Sequence, residues 1–176
     1  YDFVKLKGVP GKMSSSKGKV ISLVDALEVY QPEVLRYIFA QNKVDHEFSM
    51  SFDLDVLTIY EAYDRTERYV WGTEEPKEKD PAKKASLLAR EKRIYELSQI
   101  DGMPSVMPYQ VPFRLLTTLL QTYDGDVDAV IKSLGDVKPE QEECLRRRAA
   151  CAWYWINESA PDCAEDMCFK IRKDGS

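Results

Sequence analysis

The sequence predicts a mainly α-helical protein with a small α+β part at its N-terminal end. Apolar residues recur at spacings of three and four over most of the chain, whereas period-two alternation is found in two short stretches of the N-terminal third. Glycine and proline, which often end helices, separate the long periodic segments. We therefore expect a β-α-α-β-α region followed by a helical bundle or cage.

Five elements are predicted in the N-terminal region. The strands cover residues 1–6 and 46–52, and the helices cover residues 23–30, 32–41 and 53–71. Ser22 and Asp25 have the spacing of a capping box, and Pro32 is suited to the first turn of the second helix. Ser51 or Asp53 can cap the third helix. This region alone supplies the β part of the fold.

The C-terminal region reads as helical throughout. Its predicted helices cover residues 82–97, 126–134 and 139–158, together with a helix that starts at residue 111 or 112 and ends at residue 123. Residues 73–81 precede them and contain two prolines, several charges and no apolar side chain, which is typical of a linker. The predicted organisation is an N-terminal unit over residues 1–72, this linker, and a helical unit over residues 82–176 that could be incomplete.

Composition is that of a globular protein outside the membrane. The 176 residues are 44% hydrophobic and 31% charged. No apolar run approaches the roughly 20 residues that span a bilayer, and no signal peptide opens the chain, so we expect a cytoplasmic protein. Because the first residue is Tyr1, we also expect the chain to be a piece of a longer one.

Basic residues are clustered although the net charge is −5. The clusters are Lys5, Lys7, Lys12, Lys17 and Lys19; Lys83, Lys84, Arg90, Lys92 and Arg93; Arg146, Arg147 and Arg148; and Lys170, Arg172 and Lys173. Such clusters on an acidic background suit a protein that contacts RNA at chosen places, although each one alone is also typical of a solvated helix face. The four cysteines lack zinc-site spacing, and we predict no metal ligand.

The strongest candidate for a functional site is the loop from Gly11 to Gly18. Glycines at its two ends allow a tight turn, and between them lie two lysines and three serines. Ammonium groups and hydroxyls are suitable partners for phosphate oxygens. The loop therefore predicts a phosphate-binding site.

This loop, Lys12-Met13-Ser14-Ser15-Ser16-Lys17-Gly18, resembles the second signature of class I aminoacyl-tRNA synthetases, and most closely that of the class I lysyl-tRNA synthetases. Segments that resemble the same family follow at residues 20–22, 32–37, 51–55 and 108–114. Ser15 stands where many class I enzymes carry a second lysine. The resemblance therefore implies that Lys17 supplies the second cation.

The resemblance implies an ATP-dependent ligase that joins lysine to tRNA(Lys) through lysyl-adenylate. Lys12 and Lys17 would be the catalytic cations, and residues 12–17 would bind the ATP phosphates, with Mg²⁺ accompanying ATP in the parent enzyme. Residues 1–72 would end the catalytic core with a stem-contact-like region, and the later helices would bind the anticodon. The nucleotide-binding sheet, the His-x-Gly-His element and the lysine pocket would lie elsewhere, so the isolated chain should be inactive and hold no cofactor tightly.

Four residues at a predicted loop-to-helix junction are candidates for RNA contacts: Tyr109, Gln110, Phe113 and Arg114. Tyr109 and Phe113 could instead fill a helix interface. Two alternatives to the main interpretation stay open. One is another class I synthetase, of the glutamyl or arginyl type, and the other is a stand-alone helical module that binds RNA or a protein.

Overall fold

The computed structural model describes residues 4–6, 22–42 and 48–170. Its elements are β1 (Val4–Leu6), α1 (Leu23–Val29), α2 (Pro32–Gln41), β2 (Phe48–Met50), α3 (Asp55–Trp71), α4 (Pro81–Ser98), α5 (Phe113–Thr122), α6 (Val127–Leu134), α7 (Pro139–Glu158) and α8 (Ala160–Cys163), followed by a 3₁₀ turn over Glu165–Met167. The prediction of a mainly helical protein is confirmed. The short α8 and the 3₁₀ turn were not predicted.

The two strands pair in parallel. Val4 lies opposite Phe48, and Leu6 lies opposite Met50. A parallel pair needs a crossover connection, and α1 and α2 lie in sequence between the two strands.

Local sequence signals set the helix ends. Ser22 Oγ accepts a hydrogen bond from the Asp25 amide at 3.1 Å, and Asp25 Oδ2 accepts one from the Ser22 amide at 2.8 Å, which is the predicted capping box. The prediction that Ser51 or Asp53 caps α3 is wrong, because the cap position is Leu54, which makes no side-chain cap hydrogen bond. Asp53 Oδ1 still accepts a hydrogen bond from the amide of Asp55, the first residue of α3, at 2.9 Å. Gly72 ends α3 in the left-handed conformation, with φ 69°.

The junction between α1 and α2 depends on a side chain from α3. The buried Tyr60 hydroxyl donates to the Val29 carbonyl at 3.1 Å and accepts from the Gln31 amide at 3.0 Å. Those two backbone groups belong to the end of α1 and the residue before α2. Buried backbone polar groups need such partners, so one hydroxyl satisfies both sides of the junction.

The helices enclose a single cluster of buried residues. Helix α4 packs against α2 and α3, and α7 packs against α1 and α5. The Tyr60 ring stacks on Phe113 with centroids 4.0 Å apart, and Phe113 meets the edge of Trp155 at 6.1 Å. This core draws on residues from both sides of segment 73–81. The predicted division into domains stays a prediction.

Segment 73–81 is attached to the helices that flank it. Glu74 pairs with Arg68 of α3 at 2.7 Å, and Glu75 pairs with Lys84 of α4 at 2.6 Å. Both pairs are partly exposed to solvent, so they attach the segment to the two helices but contribute little to stability.

Across the described residues, no helix has both the length and the apolar character that a membrane crossing would require.

Candidate functional site

The predicted phosphate-binding loop lies outside the described residues. The predicted roles of Lys12, Met13, Ser14, Ser15, Ser16 and Lys17 therefore stay predictions. The capped N-terminus of α1 follows the loop in sequence.

Two of the four candidate RNA contacts, the buried Phe113 and the half-buried Gln110, make specific contacts within the protein. Phe113 is buried between Tyr60 and Trp155. The side-chain amide of Gln110 donates to the Asp64 carbonyl at 2.9 Å and to Glu67 Oε2 at 2.6 Å, and its oxygen accepts from Arg68 at 3.1 Å. In this conformation both side chains hold the approach to α5 against α3.

The other two candidates differ from this pair. Tyr109 is half-buried and packs against the core. Arg114 is exposed in the first turn of α5, where its Nη1 lies 3.6 Å from the sulfur of Met167. Among the described residues, no carboxylate pairs with Arg114, so its charge is available to an external anion. The four residues are close in sequence but differ in exposure: Phe113 is buried, Tyr109 and Gln110 are half-buried, and Arg114 is exposed.

A buried ion pair joins α3 to α7. Arg148 Nη2 donates to both carboxylate oxygens of Asp64, at 2.6 and 2.8 Å, and the two side chains are 7% and 6% exposed. The guanidinium also lies over the Tyr60 ring, 5.0 Å from its centroid. Burial raises the pKa of Asp64, while the adjacent Arg148 opposes that shift. The charges persist in the core because each neutralises the other.

Glu67, one turn after Asp64, is a second buried acid. It accepts from the Tyr95 hydroxyl at 2.6 Å and from the Gln110 amide. Burial raises its pKa, and the hydrogen bonds from Tyr95 and Gln110 act in the opposite direction. Glu67 therefore connects α3 with α4 and with the segment before α5.

A cavity of about 380 Å³ opens beside this network. It lies between α2, α3, α7 and the loop that connects α4 to α5. Arg148, Glu67 and Tyr63 belong to its wall, and so do Asp101 of the loop and Glu140 of α7. A concave site with polar groups on an apolar wall is the usual form of a small-molecule site.

The sequence did not predict the buried polar network of Asp64, Glu67 and Arg148. Arg148 follows Arg146 and Arg147 directly, so the three arginines are interpreted from sequence as one basic cluster. In the structure Arg148 is buried, whereas Arg146 and Arg147 are exposed. Arg146 pairs with Asp128 at 2.6 Å and with Glu142 at 3.4 Å. The signal that could have found the network lies on α3, where Asp64 and Glu67 continue the spacing of the buried stripe and therefore need an internal partner.

The four cysteines, Cys144, Cys151, Cys163 and Cys168, are free thiols in the structure. Burial raises the pKa of Cys151 to about 11, so it is a neutral thiol near pH 7. Within the described ranges, no group of three or more histidine, cysteine, aspartate or glutamate side chains is arranged to hold a metal ion.

Comparison with known proteins places the chain in a family. Residues 1–101 match the family described as tRNA synthetases class I (K). The chain is 52% identical over 176 residues to the lysine–tRNA ligase of Treponema pallidum, 47% over 173 residues to that of Borreliella burgdorferi, and 36% over 169 residues to that of Thermococcus kodakarensis. These alignments cover 99%, 98% and 92% of this chain but only 32%, 31% and 31% of the relatives. The chain thus spans about a third of their length, and it belongs to the class I (K) family of tRNA synthetases.

Proposed function

We propose that the chain is part of a lysine–tRNA ligase, in which it supplies the loop that binds ATP phosphates and helices that contact tRNA(Lys). The observation that carries the proposal is the alignment with lysine–tRNA ligases over nearly the whole chain, including residues 11–18. The names of these relatives favour this function over a glutamyl or arginyl enzyme and over a stand-alone module.

The chemistry proposed for the loop follows from its residue types. Adenylate formation releases pyrophosphate, and the negative charge that develops on the departing group needs cations nearby. Lys12 and Lys17 supply these cations, and Ser14 and Ser16 donate hydrogen bonds to phosphate oxygens or hold the loop closed. Mg²⁺ accompanies ATP in the parent enzyme, and we assign it no ligand in this chain.

The loop proposal is tested in the full-length enzyme by lysine-dependent exchange of pyrophosphate into ATP. We expect Lys12→Ala and Lys17→Ala each to lower the rate by about a hundredfold, as loss of a transition-state donor does elsewhere. Lys19→Ala, just outside the motif, is the matched control and should leave the rate close to wild type. Rates within about twofold of wild type for both loop variants would contradict the assignment of Lys12 and Lys17 as catalytic cations.

The helical part carries the proposed contact with RNA. We assign residues 1–72 to the end of the catalytic core and a stem-contact region, and the helices after residue 82 to anticodon binding, in a cytoplasmic enzyme. Arg114 is the side chain that we place against RNA, because its exposed guanidinium has no carboxylate partner among the described residues. Tyr109, Gln110 and Phe113 would set the position of α5 behind it.

Arg114→Ala and Arg146→Ala form a matched pair for tRNA(Lys) binding by the full-length enzyme. Both arginines are exposed, but Arg146 is neutralised by Asp128 and Glu142. If Arg114 contacts a phosphate, its loss should weaken binding and reduce the salt dependence by about one counterion, while Arg146→Ala changes neither. Equal effects of the two variants would remove Arg114 from the interface.

The 176-residue chain alone should not activate lysine, since we place the lysine pocket and the rest of the ATP site in other parts of the parent enzyme. Lysine-dependent exchange by this chain, above the level of a Lys12→Ala control, would contradict that placement.

A further inference from the structure

Helix α4 is the most basic of the described helices. Over Pro81–Ser98 it carries five lysines and arginines against two glutamates, a net charge of +3, whereas the whole chain has a net charge of −5. None of the other described helices has a net charge above +1. Positive charge concentrated in one helix of an acidic chain indicates an anionic partner for that helix.

Three of these cations lie on one side of α4. Successive residues of a helix are rotated by about 100°, so Lys83, Arg90 and Arg93 fall within an arc of about 80°. All three side chains are exposed, and Lys83 and Arg90 lie about two turns apart along the helix. We call this side, formed by Lys83, Arg90 and Arg93, the α4 basic face. Neither glutamate of α4 falls within the arc.

The cations of the α4 basic face are weakly neutralised. Lys83 has no carboxylate partner among the described residues. Arg90 Nη1 lies 3.5 Å from Glu91, and the Arg90 side chain is 64% exposed. Arg93 Nη1 lies 3.3 Å from Glu96, and the Arg93 side chain is 68% exposed. Because ion pairs with this exposure are weak, both arginines can turn to an external anion.

Arg65 of α3 adds a fourth cation near the α4 basic face. Burial raises the pKa of the Tyr37 hydroxyl, and the positive charges of Arg90 and Arg65 both oppose that rise. The two guanidinium groups are therefore within electrostatic reach of the same hydroxyl. Arg65 is exposed and has no carboxylate partner among the described residues. The positive region thus extends from α4 onto α3.

The chemistry of the α4 basic face suits phosphate groups and not nucleobases. Tyr95 is the one aromatic residue of α4, and it is fully buried. Ser86, which lies within the arc of the cations, is small and exposed, so it leaves room for a ligand backbone. Base stacking needs an exposed ring, whereas contacts from lysine and arginine to phosphate oxygens carry no sequence information.

We propose that the α4 basic face, with Arg65, binds the phosphate backbone of tRNA without regard to its sequence. This inference rests on the proposed function, which supplies the tRNA. The face is separate from the contact assigned to Arg114, because α4 packs against α2 and α3 whereas α5 packs against α7 and α3. The α4 basic face supplies affinity through charge, and discrimination of tRNA(Lys) from other tRNAs depends on other residues.

The test measures binding of the full-length enzyme to tRNA(Lys) and to a non-cognate tRNA between about 50 and 200 mM salt. We expect K83A/R90A/R93A to weaken binding of both tRNAs by about tenfold and to reduce the slope of log affinity against log salt by about two to three. The ratio of the two affinities should stay that of the wild type, because both tRNAs offer the same phosphates.

Lys92→Ala is the matched control. Lys92 is also exposed on α4 without a carboxylate partner among the described residues, but it lies about 160° around the helix from Arg90. Its loss should leave affinity and salt slope close to wild type. An equal effect of Lys92→Ala, an unchanged slope in K83A/R90A/R93A, or a loss confined to tRNA(Lys) would overturn the proposal.

Two further outcomes separate this proposal from its alternatives. If K83A/R90A/R93A binds tRNA like the wild type but no longer binds vesicles of an anionic phospholipid, the α4 basic face is a membrane surface and the proposal is wrong. If the wild-type enzyme does not bind tRNA(Lys) at all, the proposed function fails, and this inference fails with it.

Discussion

The buried and exposed faces of α7 use arginine for different purposes. Arg148 faces the core, where Asp64 holds it in a pair that is about 7% exposed. Arg147, the preceding residue, is about half exposed and lies 3.8 Å from Glu33. Neighbouring residues on a helix point in different directions, so a run of three arginines is divided between stability and surface charge. Burial, rather than residue type, decides which arginine the fold depends on.

The largest expected effect comes from breaking the buried pair. Arg148→Met or Asp64→Leu alone should lower the free energy of unfolding by about 3–5 kcal/mol, because the remaining charge is left buried without a partner. The double variant D64L/R148M should recover much of that loss. Chemical denaturation of the three variants measures the coupling, with Arg147→Ala as the exposed control, for which we expect about 0–1 kcal/mol. Additive losses in the double variant would show that the pair is not coupled.

A smaller loss of stability is expected from substituting Gly125, which lies next to Trp153 of α7. Gly125 has φ +78°, and a Cβ placed there would lie 2.8 Å from two carbons of the Trp153 ring. Gly125→Ala should cost about 2–3 kcal/mol, from the left-handed backbone and from displacement of Trp153. Gly72→Ala separates the two causes, since Gly72 has φ +69° with nothing within 4 Å, and it should cost only about 1–2 kcal/mol. Equal thermal shifts in the two variants would show that Trp153 moves away freely.

The smallest expected effect is the contribution of Glu67, the second buried acid, to the pH dependence of stability. Burial raises the pKa of Glu67 in the folded state above its ordinary value near 4.5. The folded protein therefore binds this proton more tightly than the unfolded chain does, and stability is lost as the pH rises from the unfolded toward the folded pKa. Relative to Glu67→Gln, the wild type should lose about 1.4 kcal/mol for each unit of pKa shift. Denaturation midpoints between pH 4 and 8 measure this difference, and an opposite slope would mean that the hydrogen bonds from Tyr95 and Gln110 outweigh burial.

Most helix positions could be predicted because their signals are local. Ser22 with Asp25, and Gly72 after α3, act within one helical turn, and the structure contains both features. Helix α7 covers residues 139–158 as predicted, since Pro139 starts it and its apolar residues keep a helical spacing. The short α8 has too few residues to show any period.

The partners of Gln110 and Arg148 could not be predicted from local patterns. Gln110 and Arg148 are polar residues whose partners, Asp64 and Glu67, lie about 40 to 80 residues away in sequence. No local pattern encodes such a pairing. The family resemblance was visible in the loop motif, but it could not show that Arg114 is exposed while Phe113, its neighbour, is inside.

The Tyr60 hydroxyl has a consequence for sequence variation. Tyrosine to phenylalanine is usually a mild change, since the ring is kept and one polar atom is lost. At position 60 the same change would leave the Val29 carbonyl and the Gln31 amide without the partner that both now share. One oxygen atom thus joins the end of α1 to the start of α2. Natural variants of this chain should therefore keep tyrosine at position 60 even where the surrounding aromatic residues are substituted.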